Sequence, residues 1–335
     1  MSSTEPHAWF GGRLAVGLAD VTDDPTALDS SGLWAVLVTF EGRVTCARFD
    51  DWRAAPLPRA GWPGVPASSW SSSMSRDEYV DGVRLVREGI AAGDYYQVNL
   101  CRTLSARLPA AADLTGLAGL LAEGNPAPYA GVLRLPGQGV DVVSASPELF
   151  LRRDGDLVES GPIKGTATTA AGLTDKDRAE NVMIVDLVRN DLGAVAATGS
   201  VDVPALNAVE QHPGLVHLVS TVQARLRSGA GWPELLAATF PPGSVTGAPK
   251  SSALAAIRRL EPTPRGPYCG AVGWVDADRR RATLAVGIRT FWAADGLLHL
   301  GTGAGITWGS DAEAEWDETE LKAHRLLSVA AEETG

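Results

Sequence analysis

The chain is short of the residues that build redox staples, metal cages and nucleic-acid faces. Cysteine occurs only at Cys46, Cys101 and Cys269 in 335 residues. Three scattered thiols fit neither zinc-ligand spacing nor a disulfide framework, so a reducing compartment without structural zinc is expected. Basic runs are missing and the formal net charge is −11, which argues against nucleic acid and anionic membrane surfaces as partners. An anionic ligand would therefore need local donors acting against the overall field. The longest apolar run, Leu33–Val38, is far too short to span a bilayer. Repeats and low-complexity tracts are absent. Residues 1–10 lack the charged-then-apolar pattern of a signal peptide, so a cytoplasmic protein is expected. What is present is apolar residues, 45% of the chain, enough to fill a sizeable core.

The pattern predicts a hairpin from strands 33–40 and 44–49 around Glu41-Gly42, followed by a Pro-, Gly- and Ser-rich loop over 52–73. Ser75 and Glu78 form a capping box for a helix with Val80, Val83, Val86 and Ile90 on one face, ended by Gly93. Strands are expected at 95–104, 129–135, 141–144 and 149–153. Thr174 caps a helix to 192; the run 217–224 reads as a strand or a short helix; Pro249 opens a helix to 260. Strands at 270–275 and 283–292 precede a last helix opened by a Ser310/Glu313 box and ending near 332. Strands cluster without βαβ alternation, so the fold class is α+β with antiparallel sheets. A strand-rich segment with its loop, 1–74, is expected to pack on a main body, 75–335.

Lys164 lies between Ile163 and Gly165 in an apolar segment. Desolvation there would favour the neutral, nucleophilic amine, and Gly165 admits close approach. The same residues also suit a lysine that anchors a loop or reaches to solvent. Asp177 and Glu180, like Glu315 and Glu318, are three apart near a helix start. Two such pairs suit an oxygen-ligated Mg2+, or simply complement two helix dipoles. The run from Gly243 to Lys250 feeds a helix start and could seat a carboxylate or phosphate, although it is not a Walker loop. Gly301, Gly303 and Gly305 alternate in a run that reads as a tight turn or as a close backbone approach to ligand.

Taken in order, these segments resemble the chorismate-utilising enzymes, the family of anthranilate synthase component I. The resemblance runs from about Ser75 to the C-terminus. It rests on Tyr96-Gln97-Val98-Asn99-Leu100, Ser146-Pro147-Glu148-Leu149-Phe150, 162–166, 180–192, His217-Leu218-Val219-Ser220-Thr221, 240–250, 265–273, Ile288-Arg289-Thr290 and 315–323. It implies that antiparallel sheets pack as a sandwich with flanking helices and that 75–335 is a chorismate-binding catalytic domain. Lys164 stands where C4-aminating members carry a lysine and anthranilate synthases an alanine. Gln97 stands where water-adding members carry a lysine base. The implied reaction is amination of chorismate at C4: Lys164 attacks C2 and expels the C4 hydroxyl, and ammonia then adds at C4 and expels the lysine. Glu148 would move the protons.

Further roles come with the resemblance. Glu180 and Glu318 would be the principal Mg2+ ligands, with Glu315 and Asp177 beside them. Arg289 and Tyr268 would grip the enolpyruvyl carboxylate. The backbone of Gly165, Thr166, Gly303, Ala304 and Gly305, with the Ser244 hydroxyl and Gln97, would hold the rest of the substrate. His217 would lie near the reacting side of the ring, and Lys250 would balance the acidic site. The run Asn125-Pro126-Ala127-Pro128-Tyr129 matches half of a tryptophan site found in longer relatives. No glutaminase signature occurs, so ammonia is expected from a separate glutaminase subunit in a heterodimer. Alternatives are amination at C2 with pyruvate release, a lysine Schiff-base enzyme with an absorbing cofactor, and a non-catalytic chorismate-binding subunit.

Overall fold

The computed structural model describes residues 5–167, 169–212 and 215–334; within these, the side chains of Thr166, His212 and Leu215 lie outside the description. Six α-helices occur among the described residues: α1 (Arg76–Ala92), α2 (Leu114–Gly124), α3 (Asp175–Gly193), α4 (Trp232–Thr239), α5 (Lys250–Leu260) and α6 (Ala312–Ala330). Strand pairing is antiparallel throughout, and the ladders link into one continuous sheet network flanked by the helices. This is the mixed helix and antiparallel-sheet class that the pattern predicts.

The N-terminal strands belong to that network. His7–Phe10 pairs with Tyr129–Leu135, and Leu33–Val38 pairs with Ala271–Asp276. Phe10, Trp34 and Val36 share one buried cluster with Leu133, Leu151 and Val272. The strand Val44–Ala54 runs beyond the expected end at 49, because its continuation pairs with Arg13–Thr22.

Local chemistry explains the helix ends. In α1 the Ser75 backbone N–H donates to the Glu78 carboxylate at 2.7 Å, and Gly93 closes the helix in the left-handed region at φ 83°. Thr174 and Asp177 form the same box on α3. The box expected at Ser310 and Glu313 is displaced: Asp311 caps α6 by accepting from the Ala314 N–H at 3.0 Å. Pro249 is the N-cap of α5 rather than its first residue. The run 217–224 lies within the strand Leu215–Arg225. The strand expected over 283–292 is two, Arg281–Val286 and Thr290–Ala294, because Arg289 turns the chain at φ 50°.

The three alternating glycines form no turn. They lie inside the strand Leu297–Ile306, which pairs along its length with Gln97–Arg107. A Cβ on Gly301 would overlap the Tyr268 ring, one on Gly303 would come 2.5 Å from Cys101 Sγ, and one on Gly305 would overlap Gln97 Nε2. Glycine is needed there because neighbouring side chains fill the space.

Candidate active site

Lys164 lies in the strand Ile163–Ala167, not in a turn. That strand pairs with Leu215–Arg225, and its register slips between Lys164 and Thr166. Gly165 is the extra residue. It takes φ +75°, and a Cβ on it would come 2.8 Å from the Asp177 Cβ, so glycine lets the start of α3 press onto the strand. The bulge carries Lys164 toward the turn Gly243–Val245, where its Nζ donates to the Ser244 carbonyl at 3.1 Å. Burial lowers the proton affinity of this amine, against opposing pulls from Glu180 and Glu148.

Glu148 sits between the strands Val140–Ser146 and Leu149–Asp154 with 4% of its surface exposed. Its backbone is fixed at both ends: its N–H donates to Ser146 Oγ at 3.2 Å, and its carbonyl accepts from the Val286 N–H at 3.0 Å. Burial pushes its carboxyl up to about 7, while a hydrogen bond from the Ser244 hydroxyl and the charge on Lys164 pull it back. Ser244 thus joins the two groups, carbonyl to amine and hydroxyl to acid. The Ser244 hydroxyl, expected to hold substrate, donates to Glu148 in this structure.

The two acidic helices meet this centre. Glu180 on α3 and Glu318 on α6 both act on Lys164, and Glu318 raises the Glu180 carboxyl alongside the larger effect of burial. Each carboxylate carries an ammonium: Lys176 Nζ lies 3.7 Å from Glu180, and Lys322 Nζ lies 2.6 Å from Glu318. Glu315 is buried, raised first by burial and hydrogen-bonded by the Ser310 side chain. Asp177 spends one carboxylate oxygen on the Thr174 N–H and hydroxyl, at 2.8 and 2.7 Å. Among the described residues no three acidic, histidine or cysteine side chains form a metal cage. Glu180 and Glu318, two carboxylates that both act on Lys164 and each hold an ammonium, still suit Mg2+, which usually takes one or two protein carboxylates plus water and substrate.

Arg289 is largely enclosed, and burial alone lowers its proton affinity. Among the described residues its guanidinium has no hydrogen-bond or carboxylate partner, an uncompensated charge suited to an incoming anion. Gln97 is 1% exposed, and its Oε1 is buried without a partner among the described residues. Tyr268 is buried over Gly301. His217 is buried and is the cross-strand partner of Thr166 and Glu210. Ala304 is buried opposite Leu100.

Lys250 does not balance the acidic residues at the starts of α3 and α6; its partner lies at the far end of α3. Its ammonium bonds Asp191 at 2.6 Å and the Thr239 carbonyl at 3.2 Å. The cation beside Glu318 is Lys322, which sequence reasoning left without a role although its i,i+4 spacing from Glu318 was visible. The linking role of Ser244 had no signal in the sequence, because it depends on a contact across eighty residues.

The model of the chorismate binding enzyme family matches residues 46–328. The chain is 39% identical over 328 residues to an anthranilate synthase component 1 of Haloarcula marismortui, covering 88% of this chain and 66% of that one. It is 41% identical over 272 residues to aminodeoxychorismate synthase component 1 of Escherichia coli, covering 78% of this chain and 59% of that one. It therefore spans about three fifths to two thirds of the length of these relatives. A crystal structure of a putative 2,3-dihydroxybenzoate-specific isochorismate synthase from Bacillus anthracis superposes with a TM-score of 0.83 at 24% identity, covering 97% of this chain and 96% of that one. That likeness establishes the fold.

Proposed function

This chain belongs to the chorismate binding enzymes, and from that premise we propose that it aminates chorismate at C4 to give 4-amino-4-deoxychorismate. The observation that carries the reading is the Lys164–Ser244–Glu148 arrangement, an amine with reduced proton affinity tied to a buried acid that titrates near 7.

The neutral Lys164 amine forms a bond to ring C2, the double bonds shift, and the C4–O bond breaks. Glu148 gives its proton to the departing hydroxyl, which leaves as water. Ammonia then bonds to C4, the double bonds shift back and the C2–N bond breaks, releasing Lys164. The proton shed by the new amine returns to the Glu148 carboxylate. Chorismate and ammonia become aminodeoxychorismate and water, with no change in oxidation state. Arg289 takes one substrate carboxylate in a bidentate grip. Glu180 and Glu318 would hold Mg2+, which when bound neutralises the ring carboxylate.

Ammonia is proposed to come from a separate glutaminase subunit. All three thiols of this chain are buried, and a glutaminase nucleophile would need access. The similarity to an anthranilate synthase component keeps C2 amination with pyruvate release as a second reading. The two separate when the purified chain receives chorismate, Mg2+ and ammonium and the products are identified by mass. Aminodeoxychorismate without pyruvate is expected; pyruvate with an ortho-amino aromatic acid would overturn the assignment.

A further inference from the structure

Lys176 precedes Glu180 by one helical turn on α3 and Lys322 follows Glu318 by one turn on α6, and the two are held differently. The Lys176 contact is loose, at 3.7 Å. Lys322 is pinned at two points: 2.6 Å to Glu318 and, through a donated hydrogen bond, 3.0 Å to the Gly303 carbonyl. That carbonyl belongs to the strand Leu297–Ile306, which also carries Gly305 beside Gln97. An ordinary i,i+4 pair on a helix is weak and solvated. This pair is half-exposed too, and what sets it apart is the second acceptor in the sheet, which makes it a latch between α6 and the strand Leu297–Ile306.

The latch has an electrostatic task. Glu180 and Glu318 act on each other unfavourably, and without a cation an ammonium relieves that repulsion. It also occupies one of the two carboxylate oxygens that a hard divalent ion would approach to about 2 Å. Resting on the reading of Glu180 and Glu318 as cation-holding carboxylates, we propose that Lys322 is the internal counter-ion of Glu318 in the metal-free protein and must leave it before a divalent cation binds. The apparent cation affinity is then the intrinsic one multiplied by the fraction of molecules in which the latch stands open, so removing the ammonium raises it.

The test is direct Mn2+ binding to the full chain without chorismate, read by the electron paramagnetic resonance of free Mn2+. Lys322→Met is expected to bind about fivefold tighter than the parent, and Lys322→Gln the same. Lys176→Met removes the same charge from the loose pair and is expected to change affinity by at most about twofold. Equal tightening in the Lys322 and Lys176 variants would reduce Lys322 to one charge in a general field and overturn the latch. So would unchanged or weaker binding in both Lys322 variants at unaltered urea midpoints. Glu180→Gln keeps the two ideas apart. If it leaves Mn2+ binding unchanged, the cation reading of the site fails; if it weakens binding while Lys322→Met does not tighten it, only the latch fails.

Discussion

Replacing Glu148 with glutamine removes a carboxyl that the fold lifts to about 7. In the unfolded chain this group ionises near its ordinary value of 4.5, so between the two values the native state keeps a proton that the unfolded state has lost. Stability must then fall as pH rises through that window, being fully retained below it and level above it. At 1.36 kcal/mol for each tenfold change in proton affinity, the lift corresponds to about 3 kcal/mol. Glutamine has nearly the same shape and cannot ionise. Urea unfolding of both proteins, followed by tryptophan fluorescence at pH 4.5 and pH 8.5, isolates the effect, because other titrating groups are common to the two. The parent should lose about 3 kcal/mol relative to Glu148→Gln on going to the higher pH. Parallel pH dependences would refute the reasoning, since they would mean that burial does not hold this carboxyl protonated.

Lys164→Ala should eliminate the covalent adduct seen by intact mass after acid quenching with chorismate; an adduct of undiminished yield would remove Lys164 as nucleophile. Arg289→Met should raise KM about 10- to 100-fold through the lost charged hydrogen bonds. The same variant should melt no lower than the parent, because it removes a buried charge without a partner; a lower Tm with unchanged KM would contradict that role. Gly301→Ala forces a methyl group into the Tyr268 ring and should cost about 1–3 kcal/mol, read as a shift in urea midpoint. Arg134 is 6% exposed and bridges Asp113 and Asp141, so Arg134→Ala should cost about 3 kcal/mol in thermal denaturation, by leaving the half-buried Asp141 without its guanidinium and Asp113 with only the Thr115 N–H among the described residues.

Features whose causes are close in the chain were legible. The capping box at Ser75 and the cap at Thr174 need only residues a few positions apart, and the Gly93 stop needs one missing side chain. Lys164 was singled out by its apolar neighbour and adjacent glycine, although its strand and the bulge at Gly165 were not foreseen. Asp177 shows where this reasoning falls short. An acidic residue three positions from Glu180 suits a metal as well as a cap, and only the Thr174 contacts show one carboxylate oxygen committed to the cap. The glycines at 301, 303 and 305 looked like a turn because what fills their space comes from Tyr268, Cys101 and Gln97, remote in sequence.

Composition and short-range pattern by themselves determined the fold class and the ends of four of the helices, while the residue types at the candidate centre came from the resemblance to a family. The first two follow from backbone stereochemistry and burial, which act over a few residues. The tertiary structure alone decided that Ser244 ties Lys164 to Glu148, that Lys250 serves Asp191, that Lys322 sits on Glu318 and that Arg289 is left without a counter-ion. Each of these is an electrostatic fact, set by which charges lie within a few ångströms and how much water separates them, and the order of residues does not encode those distances.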